Sequence, residues 1–204
     1  MRRTKAEAAE TREAILCSAE RIFFEKGLAH STLDEIATAA GVTRGAIYWH
    51  FQNKADIFLE LFDTVRLPRI SVLDLDDADG NPKDPLAFIE KTACDWLDTL
   101  VVDEQRQRLL TILVRTNFAD EFAEVQAAKD ALEEEQARIL VAIMEKAATQ
   151  GILHPQWSAQ SASNAFRWLM KGMVWEWLLS MRSFEIATDG KKTLQTFLSS
   201  IRKA

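Results

Sequence analysis

Arg44, Tyr48, Trp49, His50 and Lys54 crowd into the run GVTRGAIYWHFQNK, residues 41–54. Cations and polar-edged rings at such close spacing are the residue types that meet a polyanion. A guanidinium offers two parallel donors that match a guanine edge, while Thr43, Tyr48, His50 and Lys54 suit phosphate oxygens. Gly45 bares the backbone in the first turn of a short helix; this costs about 1 kcal/mol relative to Ala but lets a base edge or another backbone come close. Ile47 and Phe51 are four apart and form the inward stripe, so Arg44, Tyr48 and His50 face solvent or a ligand. The other reading of the spacing is that Tyr48, Trp49 and His50 only cap a small core.

Such residues work only if helices hold them. The segment Glu7 to Lys26 places Ala8, Ile15, Ala19, Ile22 and Phe23 at three- and four-residue spacings, and Gly27 stops it. Thr32 and Glu35 have the spacing of a capping box, which opens a second helix that Gly41 ends after Ala40. Thr43 caps a third helix from Arg44 to about Phe51, and Asn53 caps a fourth carrying Ile57, Phe58, Leu61 and Phe62. Helix, tight turn, helix is the helix-turn-helix pattern.

The whole chain, 204 residues with 48% hydrophobic content, carries a net charge of -6. That charge is uneven. Residues 1–54 hold 8 Lys/Arg against 7 Asp/Glu, leaving 17 against 24 for the rest, so only the N-terminal quarter is suited to nucleic acid. Arg2, Arg3 and Lys5 add to it at the start. Cys17 and Cys94 lie far apart with no zinc-type spacing and read as reduced structural thiols. The polar, acidic run after the first lysine lacks a signal-peptide core, and no apolar run is long enough to span a membrane, so the expected location is the cytoplasm. With 3 His and no HExxH, GxSxG or P-loop pattern, the sequence points to no enzyme, cofactor or metal. The consecutive Glu133, Glu134 and Glu135 fan around a helix and read as solvation of it.

From about Thr11 to Leu61, and above all over STLDEIATAAGVTRGAIYWHFQNKADIF, the sequence closely resembles the DNA-binding domain of the TetR family of bacterial transcriptional regulators. The resemblance implies that Thr32 touches phosphate and that the helix from Arg44 to His50 enters the major groove. It sets Arg44, Gly45 and Ala46 nearest the base edges. Thr43, Tyr48, Trp49, His50 and Lys54 then contact the backbone, and Ile47 and Phe51 match core positions.

Beyond Arg66 the character changes. Pro68 breaks the pattern, and DLDDADGNPKDP, residues 74–85, reads as a turn-rich acidic connection. Helical patterns follow at roughly 86–102, 104–118, 120–150, 156–182 and 189–203, the long third one stopped by Gly151 and Pro155. The expected architecture is all-α, with a helix-turn-helix domain at 1–66 and a larger helical ligand-binding and dimerisation domain at 67–204.

Residues 163–179 are apolar almost all round, so this helix needs cover from more than its own bundle. The stretch GMVWEWLLSMRSFEI resembles TetR-type repressors of multidrug efflux pumps. That likeness implies a homodimer joined by the last two long helices, a pseudo-palindromic double-stranded DNA operator, and a small amphiphilic or aromatic inducer. It also implies a pocket lined by Trp96, Leu113, Asn117, Gln136, Leu140, Met170, Lys171 and Val174. Where that branch often carries an acid before the helix glycine, this chain has Lys171, with Arg167 four residues earlier. Either the pair is solvated, or Lys171 is buried against an anion, an acid such as Glu133 or an aromatic face. The second case implies neutral or anionic inducers. The competing functions are regulation of a metabolic or other non-efflux gene, and small-molecule binding without DNA activity.

Overall fold

The computed structural model describes residues 5–64, Leu75, 83–118 and 122–203. Arg2, Arg3, Pro68 and most of the acidic connection lie outside the described residues. Among those described, nine α-helices and one π-helical turn are present and no strand, apart from a single bridge between Leu153 and Arg202, so the chain is all-α. It forms two compact units, residues 1–66 with 105–129, and residues 67–104 with 130–204. The segment 105–129 closes with the N-terminal helices.

The first unit contains α1 (Lys5–Lys26), α2 (Leu33–Ala39), α3 (Arg44–His50) and α4 (Lys54–Thr64). Most of α6 (Glu104–Arg115) and the start of α7 (Ala123–Thr149) also belong to it. Gly27 ends α1 with φ +84°, a conformation an L side chain resists, and Gly41 ends the second turn with φ +66°. Thr32 and Glu35 form the reciprocal capping box expected of them, and Thr43 accepts the Ala46 amide at 3.2 Å. The core is a contiguous set of Ile15, Ala19, Phe23, Leu28, Ile36, Ile47, Ile57, Phe58 and Leu61, all essentially sealed from water. Phe23 meets Phe58 edge-on at 6.2 Å and Phe58 meets Phe118 at 5.8 Å. Truncating a ring so enclosed costs about 3–5 kcal/mol.

A buried carboxylate attaches α6 to this unit. Glu20 of α1 is only 4% exposed, and it accepts from Arg108 Nε at 2.6 Å and Gln105 Nε2 at 2.8 Å. A charge at that depth is tolerated because both oxygens are satisfied. Glu20 falls on the apolar side of α1, where periodicity alone expects a hydrophobe.

The second unit holds α5 (Pro85–Val102), the rest of α7, α8 (Ala159–Leu179), the π-helical turn Ile186–Gly190 and α9 (Lys191–Ser200). Asp84 caps α5 through the amides of Leu86 and Ala87, and Pro85 takes the first helical position, where no amide hydrogen is needed. Leu86, Ile89, Ile143, Met144, Ala147, Phe166, Leu194, Leu198 and Ile201 make the core. The chain end is tied back by Arg202, which donates to Asp84 at 2.6 Å, and by the amides of His154 and Lys203. Helix ends fall short of the sequence pattern at several points. α7 begins at Ala123 rather than near 120, and α8 runs 159–179 rather than 156–182. The π-helical turn has no counterpart in the pattern; Gly190 permits it, since a Cβ there would meet Ile186 Cγ1 at 3.0 Å.

Candidate nucleic-acid interface

The seven-residue α3 buries one side only. Ile47 is fully enclosed and Phe51, its C-cap, is 3% exposed, as the four-residue spacing requires. The opposite side is open: Trp49 is 74% exposed and Tyr48 49%. They do not cap a core. A large indole left in water at the end of a helix is unusual for a buried-core role and fits contact with a partner surface.

Thr32, Thr43, Arg44 and Gly45 are exposed, and Ala46 is half-buried. At Gly45 an added Cβ would meet nothing nearer than the Thr43 hydroxyl at 3.9 Å, and its φ is not in the left-handed region. Nothing inside the subunit therefore requires glycine there. The helix accepts the propensity loss without a steric reason inside the subunit.

Arg44 is positioned before any ligand arrives. Its guanidinium donates to Asp34 Oδ2 at 3.1 Å and to the Tyr48 hydroxyl at 3.1 Å, and lies 5.6 Å from the Tyr48 ring centre. The Tyr48 hydroxyl first, then the Asp34 carboxylate, hold the guanidinium even more firmly protonated than usual. Asp34 has no place among the sequence-derived residues; it comes beside Arg44 only because α2 and α3 cross. His50 is half-buried, with its ring edge-on to Trp49 at 4.6 Å. On its far side an open groove lined by Arg12, His50, Phe51, Asp56, Leu59, Glu60 and Asp63 is rich in carboxylates.

Lys54, expected at the DNA backbone, is engaged within the subunit. Its ammonium does not join Tyr48 and Trp49 but donates to the backbone carbonyls of Leu28 at 3.0 Å, Ala29 at 3.2 Å and Ser31 at 3.0 Å. The reason is that α1 stops at Gly27, leaving the carbonyls of the following turn outside the helical ladder, and a cation satisfies them.

The ligand-contact candidates divide between the units. Leu113, half-buried, and Asn117, exposed, belong to the first, and Trp96, Gln136, Leu140, Met170, Lys171 and Val174 to the second. Leu140 and Met170 pack against the second core, and Val174 is 6% exposed. The Trp96 Nε1 atom is buried without a hydrogen-bond partner. Lys171 donates to both oxygens of Glu133, at 3.0 and 3.2 Å, and stands 4.5 Å over the Trp175 ring. It is thus compensated by an acid and an aromatic face together, and is not one of two simply solvated cations. Between Val125 and Ile143 no residue of α7 is fully buried, although Leu132, Gln136, Ile139 and Leu140 are half-covered.

Residues 15–61 match the family of bacterial regulatory proteins, tetR family, and residues 84–202 match the MAATS-type transcriptional repressor C-terminal region. The HTH-type transcriptional repressor BepR of Brucella suis biovar 1 (strain 1330) is 37% identical over 203 residues, covering 99% of this chain and 97% of that one. The crystal structure of NalD, the secondary repressor of the MexAB-OprM multidrug efflux pump in Pseudomonas aeruginosa, superposes with a TM-score of 0.87. It is 34% identical, over 98% of this chain and 99% of that one. SmeT, solved as a complex with triclosan, superposes with a TM-score of 0.79 at 25% identity, over 95% and 93%.

Proposed function

Because the chain belongs to the TetR family of bacterial transcriptional regulators, we propose that it is a homodimeric repressor of a multidrug efflux operon that small aromatic or amphiphilic ligands release from DNA. The observation that carries the DNA reading is the open N-terminal turn of α3. There a glycine with no internal reason to be one stands between an aligned arginine and two exposed rings. Arg44 takes a base edge, Gly45 and Ala46 allow the approach, and Thr32, Thr43, Tyr48, Trp49 and His50 meet phosphates.

A dimer reading rests on α8. Trp168, Gly172, Trp175 and Leu179 recur at four- and three-residue steps and all are exposed, Trp168 at 68% and Leu179 at 47%. A Cβ on Gly172 would meet nothing within 4 Å, so the position is open to another helix. A stripe of that size in water is a site of association. Two such subunits present their α3 helices to successive major grooves about 34–36 Å apart.

The efflux assignment is supported by the likeness to NalD, the secondary repressor of the MexAB-OprM multidrug efflux pump. The half-covered middle of α7 and the buried, unpartnered Trp96 Nε1 favour a ligand that is largely apolar and carries a hydrogen-bond acceptor. Release requires that ligand to bind one arrangement of the dimer more tightly than the DNA-competent one. Gel-shift on the DNA upstream of its own gene, with triclosan as the first small-molecule probe, tests the reading: a shifted band that the probe abolishes is expected. No shift at micromolar protein and moderate salt contradicts it.

A further inference from the structure

We propose that Arg12 is a positioning residue for the DNA-contacting helix, a clamp that fixes the C-terminal end of α3 between α1 and α4; this rests on the DNA-binding reading above. With seven residues α3 is too short to persist by its own hydrogen bonds, so its neighbours set its direction. At its first turn Arg44 is tied to Asp34 of α2 at 3.1 Å. At its other end Phe51 closes the helix. The Phe51 amide donates to the Ile47 carbonyl at 2.8 Å, and the chain then leaves in an extended conformation toward α4. The start of α4 is fixed in turn: the Gln52 amide donates to Asp56 Oδ2 and the Asp56 amide to Asn53 Oδ1, both at 2.9 Å.

Arg12 meets that end from α1. Its guanidinium carbon stands 4.5 Å from the centre of the Phe51 ring, and its Nη1 donates to Glu60 Oε1 of α4. One planar cation thus belongs to α1, covers the residue that ends α3 and is held by an acid on α4. A guanidinium suits this place because it stacks on a ring by its face while its edge serves a carboxylate. The side chains of Arg12 and Glu60 are 38% and 35% exposed, so the ion pair adds little to folding. Its consequence is directional. Phe51 is 3% exposed beneath the guanidinium, and the two residues before it are Trp49 and His50, so the clamp fixes where the last turn of α3 lies against α1 and α4. Together with Arg44–Asp34 it holds the short helix at both ends.

The test uses the full-length protein, Arg12→Met, Glu60→Leu and the double variant Arg12→Met/Glu60→Leu. Binding to an operator selected from random duplexes is followed as a function of salt, and hydrogen exchange of the Phe51 amide is followed by NMR. Arg12→Met is expected to weaken operator binding about tenfold while the slope of log K against log salt stays at the wild-type value. Glu60→Leu is expected to weaken operator binding as well, although it takes an acid out of the DNA-binding unit. The double variant is expected to be little worse than Arg12→Met, because both residues act on one contact. In all three the Phe51 amide is expected to exchange several-fold faster than in the wild type. An Arg12 that held a phosphate would behave otherwise: Arg12→Met would lower the slope by about 0.9, and Glu60→Leu would free the guanidinium and tighten DNA binding. Either result overturns the proposal. So does unchanged exchange at Phe51. Should the wild type prefer no duplex at all, the DNA reading fails, and the exchange at Phe51 still judges the clamp.

Discussion

The guanidinium of Arg44, at the first position of α3, is held 3.1 Å from the carboxylate of Asp34 on α2. Both side chains are about 60% exposed, at 60% and 62%, so the pair contributes little to folding; its effect is on where the arginine points. Arg44→Ala is expected to lower operator affinity by roughly 5- to 150-fold and to relax preference at one base position. Asp34→Ala is expected to change operator affinity less while raising affinity for random duplex, because an acid leaves the interface and the arginine loses its alignment. Competition binding on operator and scrambled duplexes checks both. Equal losses on the two DNAs for Arg44→Ala contradict a base-reading role.

At Gly172 the subunit has room for a side chain, so Gly172→Asp is expected to leave helix content and monomer packing intact and to break association. Sedimentation at micromolar concentration should give a dimer for the wild type and a monomer for the variant. A wild-type monomer contradicts the assembly.

If Lys171 belongs to the ligand site, as proposed, its pairing with Glu133 sets the charge preference. With Glu133 in place the ammonium is neutralised, and uncharged amphiphiles are expected to bind best. Glu133→Gln releases it, so 2-naphthoate should gain on 2-naphthylmethylammonium by several-fold, read by tryptophan quenching. An unchanged ratio removes Lys171 from the ligand site.

Asp84 gives a pH dependence with a definite sign. Burial pushes its carboxyl upward, but the Arg202 guanidinium and the amides of Ala87 and Leu86 outweigh this and hold it below the ordinary carboxylate range. A depressed folded pKa stabilises above the unfolded value, about 3.9, and that contribution is lost as pH falls through the folded value. Asp84→Asn keeps a helix cap and removes the ion pair, so its melting temperature should fall at pH 7 and converge on wild type only as pH drops below the folded value. The loss is no more than about 1 kcal/mol, since both partners are partly exposed.

How much of this was legible beforehand follows from the range of each interaction. Thr32, Glu35, Thr43 and Asn53 announce helix starts because capping is decided within three residues. The inward Ile47 and Phe51 follow from helical period alone. Glu133 as a partner for Lys171 was reachable as one option among several, from the cost of burying a lone cation, without the sequence singling it out. Asp34 beside Arg44, and the carbonyls of 28–31 beneath Lys54, were not reachable: ten and more than twenty residues separate the partners, and only the folded crossing of helices brings them together. The same holds for Glu20, whose burial depends on Arg108 and Gln105 arriving from α6.

The central claim, that α3 reads a DNA sequence, is tested most directly by measuring the wild-type affinity for its selected operator and for a scrambled duplex of equal length at about 0.15 M salt. A preference of about a thousandfold or more is expected, with protection of two half-sites about one helical turn apart. Equal affinities for the two duplexes would contradict it.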